Sequence, residues 1–426
     1  MKTGASFPFL LLVSALAPWP AQGEPFRDYP DLPPLKTVMA VMANNPVVQA
    51  AKAGVALGEA SQARLQAGPY EYNVRLGTAR RTIDQSGRFR EWDVALERPI
   101  RLPGKLAADE DLGREGVIQA RAAYGDALHE EERKLLKMWF TWARENAQAQ
   151  QWQAQAATLR EQLAIVNKRV RAGDAPRLEA EMAEAAAASA DASLHQARLR
   201  ETIAATELTK HFSGIALPEK LAQPPLEPLR QELDYWRSQI LQHNHELAVA
   251  RSEARMAQLV ATRTSAERAP DPSLGVRYSS EIGGTERVVG LSVAIPLPGA
   301  ARTARTQESQ ASAEMAARRE AMVLRKLEAE TENIFTSARA SHTSWLSAQA
   351  AAERMQRNAE LVARAYALGE MSLTEVLNAR RLAIEANLAA ALARFDAAEA
   401  RYRLMLDAHL LWPLDADEDD ASHGHG

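Results

Sequence analysis

No cysteine occurs in the 426 residues, which excludes a disulfide framework, a thiolate metal site and a cysteine nucleophile. Aromatic residues make up only 6% of the chain, and glycine and proline number 21 each, too few for a thick mixed core or a loop-rich fold. The formal net charge of −4 leaves no electrostatic footprint for nucleic acid. Beyond the first residues, no run reaches the ~18 apolar residues of a transmembrane helix. If the mature chain crosses a membrane, it must do so with strands.

What is abundant is alanine, with glutamate, arginine, glutamine and leucine, the composition of long packed helices. The N-terminus has its own pattern. Lys2 precedes the apolar stretch Phe7 to Ala17, and Ala21-Gln22-Gly23 fits the small-x-small cleavage rule. Residues 1–23 therefore read as a secretory signal peptide and the mature protein as exported.

Two segments change period from helix to strand. In "PYEYNVRLGTARR" (69–81), Tyr70, Tyr72, Val74 and Leu76 alternate with Glu71, Asn73, Arg75 and Gly77, and Trp92, Val94 and Leu96 alternate in the next stretch (89–100). The same order returns with Leu274, Val276 and Tyr278 (272–282) and a second strand at 286–296. Each strand pair runs into a proline-glycine junction, "ERPIRLPGK" and "VAIPLPGAAR", and then a long helix (105–172 and 300–368). "RAGDAP" and "LGEMS" break those helices, and return helices follow at 174–212 and 372–411. Helical patterns also precede each strand pair, over 34–68 and 229–268.

The parallel is a duplication. Ile100, Leu102, Pro103 and Gly104 fall on Ile295, Leu297, Pro298 and Gly299, while Val166, Gly173, Asp174 and Glu179 fall on Val362, Gly369, Glu370 and Glu375. Asn45 falls on Asn244. The expected organisation is a first repeat (24–215), a Pro-rich linker (216–228), a second repeat (229–411) and an acidic, histidine-bearing tail (412–426) without fixed structure. The fold class is mainly α with a small β part, a tandem helix–strand–strand–helix–helix chain.

The last helix carries two seams. Val376, Ala379, Ala383 and Ala386 begin one 3–4 series; Leu388, Leu392, Phe395, Tyr402 and Leu406 form another, ~200° away around the helix. Two seams imply a neighbour on each flank, hence a sheet or ring of helices rather than an ordinary bundle with one wide stripe. The strands need closure as well. Four strands cannot form a barrel, so two isolated amphipathic hairpins require other subunits to seal their edges.

This arrangement resembles the outer-membrane efflux protein (TolC) family over essentially the whole mature chain. The paired junctions carry the resemblance, together with "AYALGEMSLTEVLNARR" (365–381), which matches the family's Tyr-x-x-Gly-x-x-Ser-x-x-x-Val-Leu-x-Ala signature. The proline-terminated strands, LPG turns and "LGE-x-S" look most like its heavy-metal efflux branch (CzcC/CusC-like). The resemblance implies a homotrimer: a twelve-stranded barrel in outer-membrane lipid of a Gram-negative bacterium, continued by a long periplasmic helical barrel. It also implies a periplasmic membrane-fusion adaptor and an inner-membrane RND pump as partners, and heavy-metal cations as cargo. A duct of the same family for organic compounds or secreted polypeptides is the nearest alternative. A periplasmic coiled-coil adaptor or scaffold is the alternative of another class, and the amphipathic hairpins speak against it. Relatives with a lipidated N-terminal cysteine have no counterpart here, so anchoring falls to the barrel.

By the same resemblance, Glu375 and Asn378 are the periplasmic gate. Ser372 and Glu375 also form a capping box, a role that does not exclude gating. Gly173, Asp174, Gly369 and Glu370 are the adaptor-contact tips, where glycine also ends a helix. Pro99, Pro103 and Gly104, with Pro296, Pro298 and Gly299, are the strand-to-helix junctions, proline ending the ladder and glycine permitting the turn. His423 and His425 in the acidic tail are a weak candidate for zinc, copper or cobalt. His243, Asn244, His245 and Glu246 lack a zinc-binding frame, and Lys105 lacks the glycine of a phosphate loop. No nucleophile–base constellation and no cofactor motif appears, so the chain does not read as an enzyme.

Overall fold

The computed structural model describes residues 28–84 and 87–412. The expected signal segment and the tail from residue 413 lie outside them. In chain order the elements are α1 (Leu35–Ala43), α2 (Pro46–Ala67), β1 (Asn73–Ile83), β2 (Gly87–Pro99), α3 (Pro103–Ala172) and α4 (Arg177–His211). There follow α5 (Leu233–His243), α6 (His245–Ala266), β3 (Ser273–Glu281), β4 (Glu286–Ala294), α7 (Ala300–Ala367) and α8 (Leu373–Asp407).

The helices expected over 34–68 and 229–268 are each broken, and at matching residues. Asn45 leaves α1 and caps α2, its side chain accepting from the Val47 amide at 2.8 Å. Asn244 does the same for α6, accepting from the Leu247 amide at 2.8 Å. An asparagine that bonds the second or third amide of a new helix competes with continuation of the old one. The strand ends also shift: β1 begins at Asn73 because Gly68, with φ +66°, turns the chain and sends Tyr70 to hydrogen-bond Asp271 at 3.0 Å. β4 ends at Ala294, so Ile295 and Pro296 lie beyond the ladder.

α3, with 70 residues, and α7, with 68, are each about 100 Å long at 1.5 Å per residue. Beside the strands the layer order is α2, α3, α6, α7; toward the far end it is α4, α3, α8, α7. The two repeats thus sit side by side, with α3 between its own partners and those of the second repeat. α8 meets two neighbours as its seams require. Ala379 and Ala383 pack against Ala359 of α7, whereas Phe395, Tyr402 and Leu406 join Trp139, Phe140 and Trp142 of α3. The main core lies there, at mid-length, where Trp139 and Tyr402 also fasten Asp31 of the N-terminal segment, at 2.8 and 2.7 Å.

The hairpins are not isolated. β2 pairs with β3, and all four strands form one antiparallel sheet in the order β1-β2-β3-β4, leaving β1 and β4 as edges. Its register places Val74, Leu96, Val276 and Leu291 in one row and Leu76, Val94, Tyr278 and Val289 in the next, on the same face. That face is open: Leu76 is 77% exposed and Leu291 85%. The opposite face is polar. There Arg75 pairs with Glu97, Arg81 with Glu91 and Glu281, and Arg277 with Asp93.

The junctions use proline but not the conformational freedom of glycine. Pro99 is the last residue of β2 and Pro103 the first of α3, where its missing N–H costs nothing. Gly104 lies inside the helix and Gly299 is extended at φ −120°; neither has a positive φ, and a Cβ at either would meet nothing within 4 Å. The expectation that these glycines make the turn is therefore corrected. Buried ion pairs hold the first junction. Lys105 Nζ lies 2.9 Å from Asp271, and Asp109 takes Arg263 at 2.6 Å and Arg101 at 3.2 Å.

Candidate functional site at the helical tips

The end of the molecule opposite the sheet consists of two helix–turn–helix tips of the same construction. Gly173, at φ +82°, follows α3, and the amide of Asp174 donates back to the Arg169 carbonyl at 2.9 Å. Gly369, at φ +81°, follows α7, and the Glu370 amide donates to the Ala365 carbonyl at 2.9 Å. A left-handed residue closing such a six-residue loop is the glycine-terminated helix end. Here the glycines are required, since a side chain in that region is strained.

The tips are fastened to each other. The Tyr366 hydroxyl on α7 donates to the Glu179 carboxylate on α4 at 2.8 Å and accepts from Arg169 Nη1 on α3 at 2.5 Å. The Arg169 guanidinium also lies 5.1 Å from the Tyr366 ring centroid. Val166, Ala183 and Leu373 pack beside them. Burial, followed by the neighbouring Glu179, pushes the Tyr366 phenol above its ordinary pKa, so it stays a donor at neutral pH. Tyr366 opened the sequence motif, but its partner lies 187 residues away, and no local pattern announces it.

Glu375 and Asn378 lie one turn apart on exposed positions at the start of α8. Glu375 completes the capping box: its carboxylate accepts from the Ser372 amide at 2.8 Å, and the Ser372 hydroxyl accepts from the Glu375 amide at 3.3 Å. Those hydrogen bonds from Ser372 hold the Glu375 carboxyl below the usual range. Asn378 accepts from Arg381 at 3.1 Å. Asn378 also lines a groove of about 430 Å³, together with Trp152, Leu159, Leu377, Arg380 and Ile384. Arg380 Nη1 is buried without a hydrogen-bond partner.

His423 and His425 lie outside the described residues, and among the described residues no group of three ligands is arranged to hold a metal. The motif His243-Asn244-His245-Glu246 has a structural use. Asn244 caps α6, and His243 and His245 surround His409, with ring centroids 5.8 and 5.2 Å from it. His129 stacks on the same ring at 5.0 Å and sits 3.3 Å from Asp407. Gly125 on α3 makes room, because a Cβ there would come within 2.5 Å of the His245 ring.

No protein-family model and no curated protein matches the sequence. Solved structures do match the fold. The Campylobacter jejuni CmeC outer-membrane channel shares 15% identity at a TM-score of 0.75, over 88% of this chain and 85% of its own. The outer-membrane protein VceC of Vibrio cholerae shares 15% at 0.72, over 88% and 95%. CusC, in a study of transmembrane channel formation, shares 17% at 0.66, over 88% and 91%. At these identities the likeness defines the fold: this chain has the architecture of an outer-membrane channel protomer. No helix among the described residues is long and apolar enough to cross a membrane.

Proposed function

We propose that this protein is the outer-membrane exit duct of a tripartite efflux system, working as a homotrimer with a periplasmic adaptor and an inner-membrane pump. One observation carries the reading: a four-stranded sheet with one exposed apolar face, one charged face and two unpaired edges, at the end of a helical layer about 100 Å long. An apolar band outside and a polar face inside is the pattern of a transmembrane barrel. The duplication supplies the closing rule. β4 and α7 at one edge meet β1, α2 and α4 of the next copy as β2 and α3 meet β3, α6 and α8 within the chain. Three copies give a twelve-stranded barrel in lipid and a helical tube below it. The fold shared with CmeC, VceC and CusC supports this reading.

Heavy-metal cations are the proposed cargo. The LPG junctions and "LGE-x-S" support it, as does the charged sheet face, where Glu91, Asp93, Glu97, Glu281 and Glu286 outnumber Arg75, Arg81 and Arg277. Glu375 and Asn378 are the proposed gate, and Gly173, Asp174, Gly369 and Glu370 the proposed adaptor contacts. The sheet disfavours a purely coiled-coil scaffold. Extraction from purified outer membranes followed by sizing tests the duct: a trimer is expected, and a soluble monomer would end the reading. Gene deletion tests the cargo: lost zinc, cobalt, cadmium, copper or silver tolerance is expected, and unchanged metal tolerance with lost dye tolerance would assign organic substrates.

A further inference from the structure

Apart from Arg98, which Tyr70 and Tyr72 hold at the helix end, the arginines of the sheet fall into two kinds. On the charged face Arg75, Arg81 and Arg277 each pair with carboxylates at 2.8–3.4 Å. On the apolar face Arg80, Arg88, Arg90 and Arg287 are all exposed, and among the described residues none has an ion pair or a side-chain hydrogen bond. Their placement is ordered. All four lie near the hairpin turns, the end of the sheet farthest from the helices. Trp92, in the row of Arg287, and Tyr278, one row nearer the helices, have ring centroids 5.5 Å apart, and the aliphatic rows continue from there.

Arg80 and Arg90 are also direct cross-strand partners. Like charges directly opposite one another destabilise a sheet, and among the described residues no carboxylate pairs with either arginine. A cationic rim, an aromatic step and an aliphatic band match one kind of molecule, an amphiphile with an anionic head and hydrocarbon chains. Arginine favours phosphate in particular, because its planar fork of donors fits two phosphate oxygens at once.

We infer that Arg80, Arg88, Arg90 and Arg287 bind the phosphate groups of a phosphorylated lipid in the membrane leaflet distant from the helices. The inference rests on the duct reading, which makes the apolar face the lipid face. The occupant is a lipid rather than free phosphate, because the arginines lie on the same face as the aromatic step and the aliphatic band that follows it. Bound phosphates would relieve the Arg80–Arg90 repulsion and fix how deeply the barrel sits.

The test uses the full-length protein, first sized in detergent, so that failure to form a trimer counts against the duct reading alone. The trimer is then incubated with bis-phosphorylated lipid A, or with the same glycolipid after phosphatase treatment, and retained lipid is measured by native mass spectrometry. The expected result is retention of the phosphorylated form about tenfold better than the phosphate-free form, weakening as salt rises. The variant R80Q/R88Q/R90Q/R287Q should lose that preference while remaining a trimer, and R277Q should keep it. Should the quadruple variant not assemble, the phosphate and salt dependence of the unaltered protein decides. Equal retention of the two glycolipids, indifference to salt, or an unchanged preference in an assembled quadruple variant would each overturn the inference.

Discussion

Tyr366 on α7 and Glu179 on α4 share a hydrogen bond of 2.8 Å across the tips, and Arg169 on α3 donates to the same hydroxyl. One phenol therefore ties three helices from both repeats at the end where the proposed duct closes. Tyr366→Phe removes the hydroxyl and little else. The expected outcome is a looser tip: faster hydrogen exchange around 173–176 and 369–372, with larger single-channel conductance in planar bilayers. Unchanged exchange and conductance would show that the apolar contacts of Val166, Ala183 and Leu373 hold the tips by themselves.

Glu375 combines a cap and a charge, and Glu375→Gln separates them, because glutamine also completes a capping box. Helix α8 should keep its start, and under the proposed duct reading the preference for cations over anions should fall. Folding linkage has a definite sign. The Glu375 carboxyl is held below its ordinary value of 4.5 by the Ser372 hydrogen bonds, so its contribution is present above that value and is lost as pH falls through the folded pKa. Reversal potentials in a salt gradient measure the preference.

The four glycines of junctions and tips should divide by conformation. Gly173→Ala and Gly369→Ala place a side chain at positive φ, at a cost of about 1–2 kcal/mol each. Gly104→Ala, inside α3, meets no atom and should leave thermal stability unchanged or slightly raised, while Gly299→Ala, at the N-cap of α7, also meets no atom and should cost less than the tip variants. Melting temperatures of the four variants provide the check.

Leu291 and Ser292 are chain neighbours on opposite faces of β4. Leu291→Lys would put an ammonium in the proposed lipid band, at about 2–4 kcal/mol if near the bilayer midplane. Ser292→Lys would put the same group in the row of Glu97 and should be tolerated. Yield of heat-modifiable trimer in outer-membrane fractions distinguishes them. Equal yields would contradict the assignment of faces.

Acid should loosen the mid-length core. Burial holds the His129 imidazole below its ordinary 6.5 despite the Asp407 carboxylate beside it, so the folded state binds fewer protons than the unfolded state. The stability this contributes is complete above about pH 6.5 and declines as pH falls below that value. Melting temperature should drop accordingly, and less steeply in His129→Gln.

Legibility followed distance along the chain. The strands, the long helices and both glycine-ended tips were readable because alternation, 3–4 spacing and punctuation act over a few residues. The boundaries at Asn45 and Asn244 were not, because an asparagine inside an alanine-rich stretch has the same composition whether it caps a helix or sits on its surface. The junction glycines were over-read, since Leu-Pro-Gly spells a turn locally, while Pro103 in fact starts α3 and Gly299 is the extended N-cap of α7. The histidines at 243 and 245 had no apparent use until His129 and His409 closed around them.

By itself the sequence determined that this chain is a duplicated, mainly helical molecule with two amphipathic strand pairs and no apolar helix for a membrane beyond its first residues. Those are periodic properties, and side-chain period dictates secondary structure and face. Tertiary structure alone decided that β2 joins β3, which leaves two edges instead of four, and that Tyr366, Glu179 and Arg169 meet at the tips. It also decided which arginines found carboxylates and which were left bare on the apolar face. Pairing across about 180 to 200 residues depends on register and packing between elements, which no local pattern encodes.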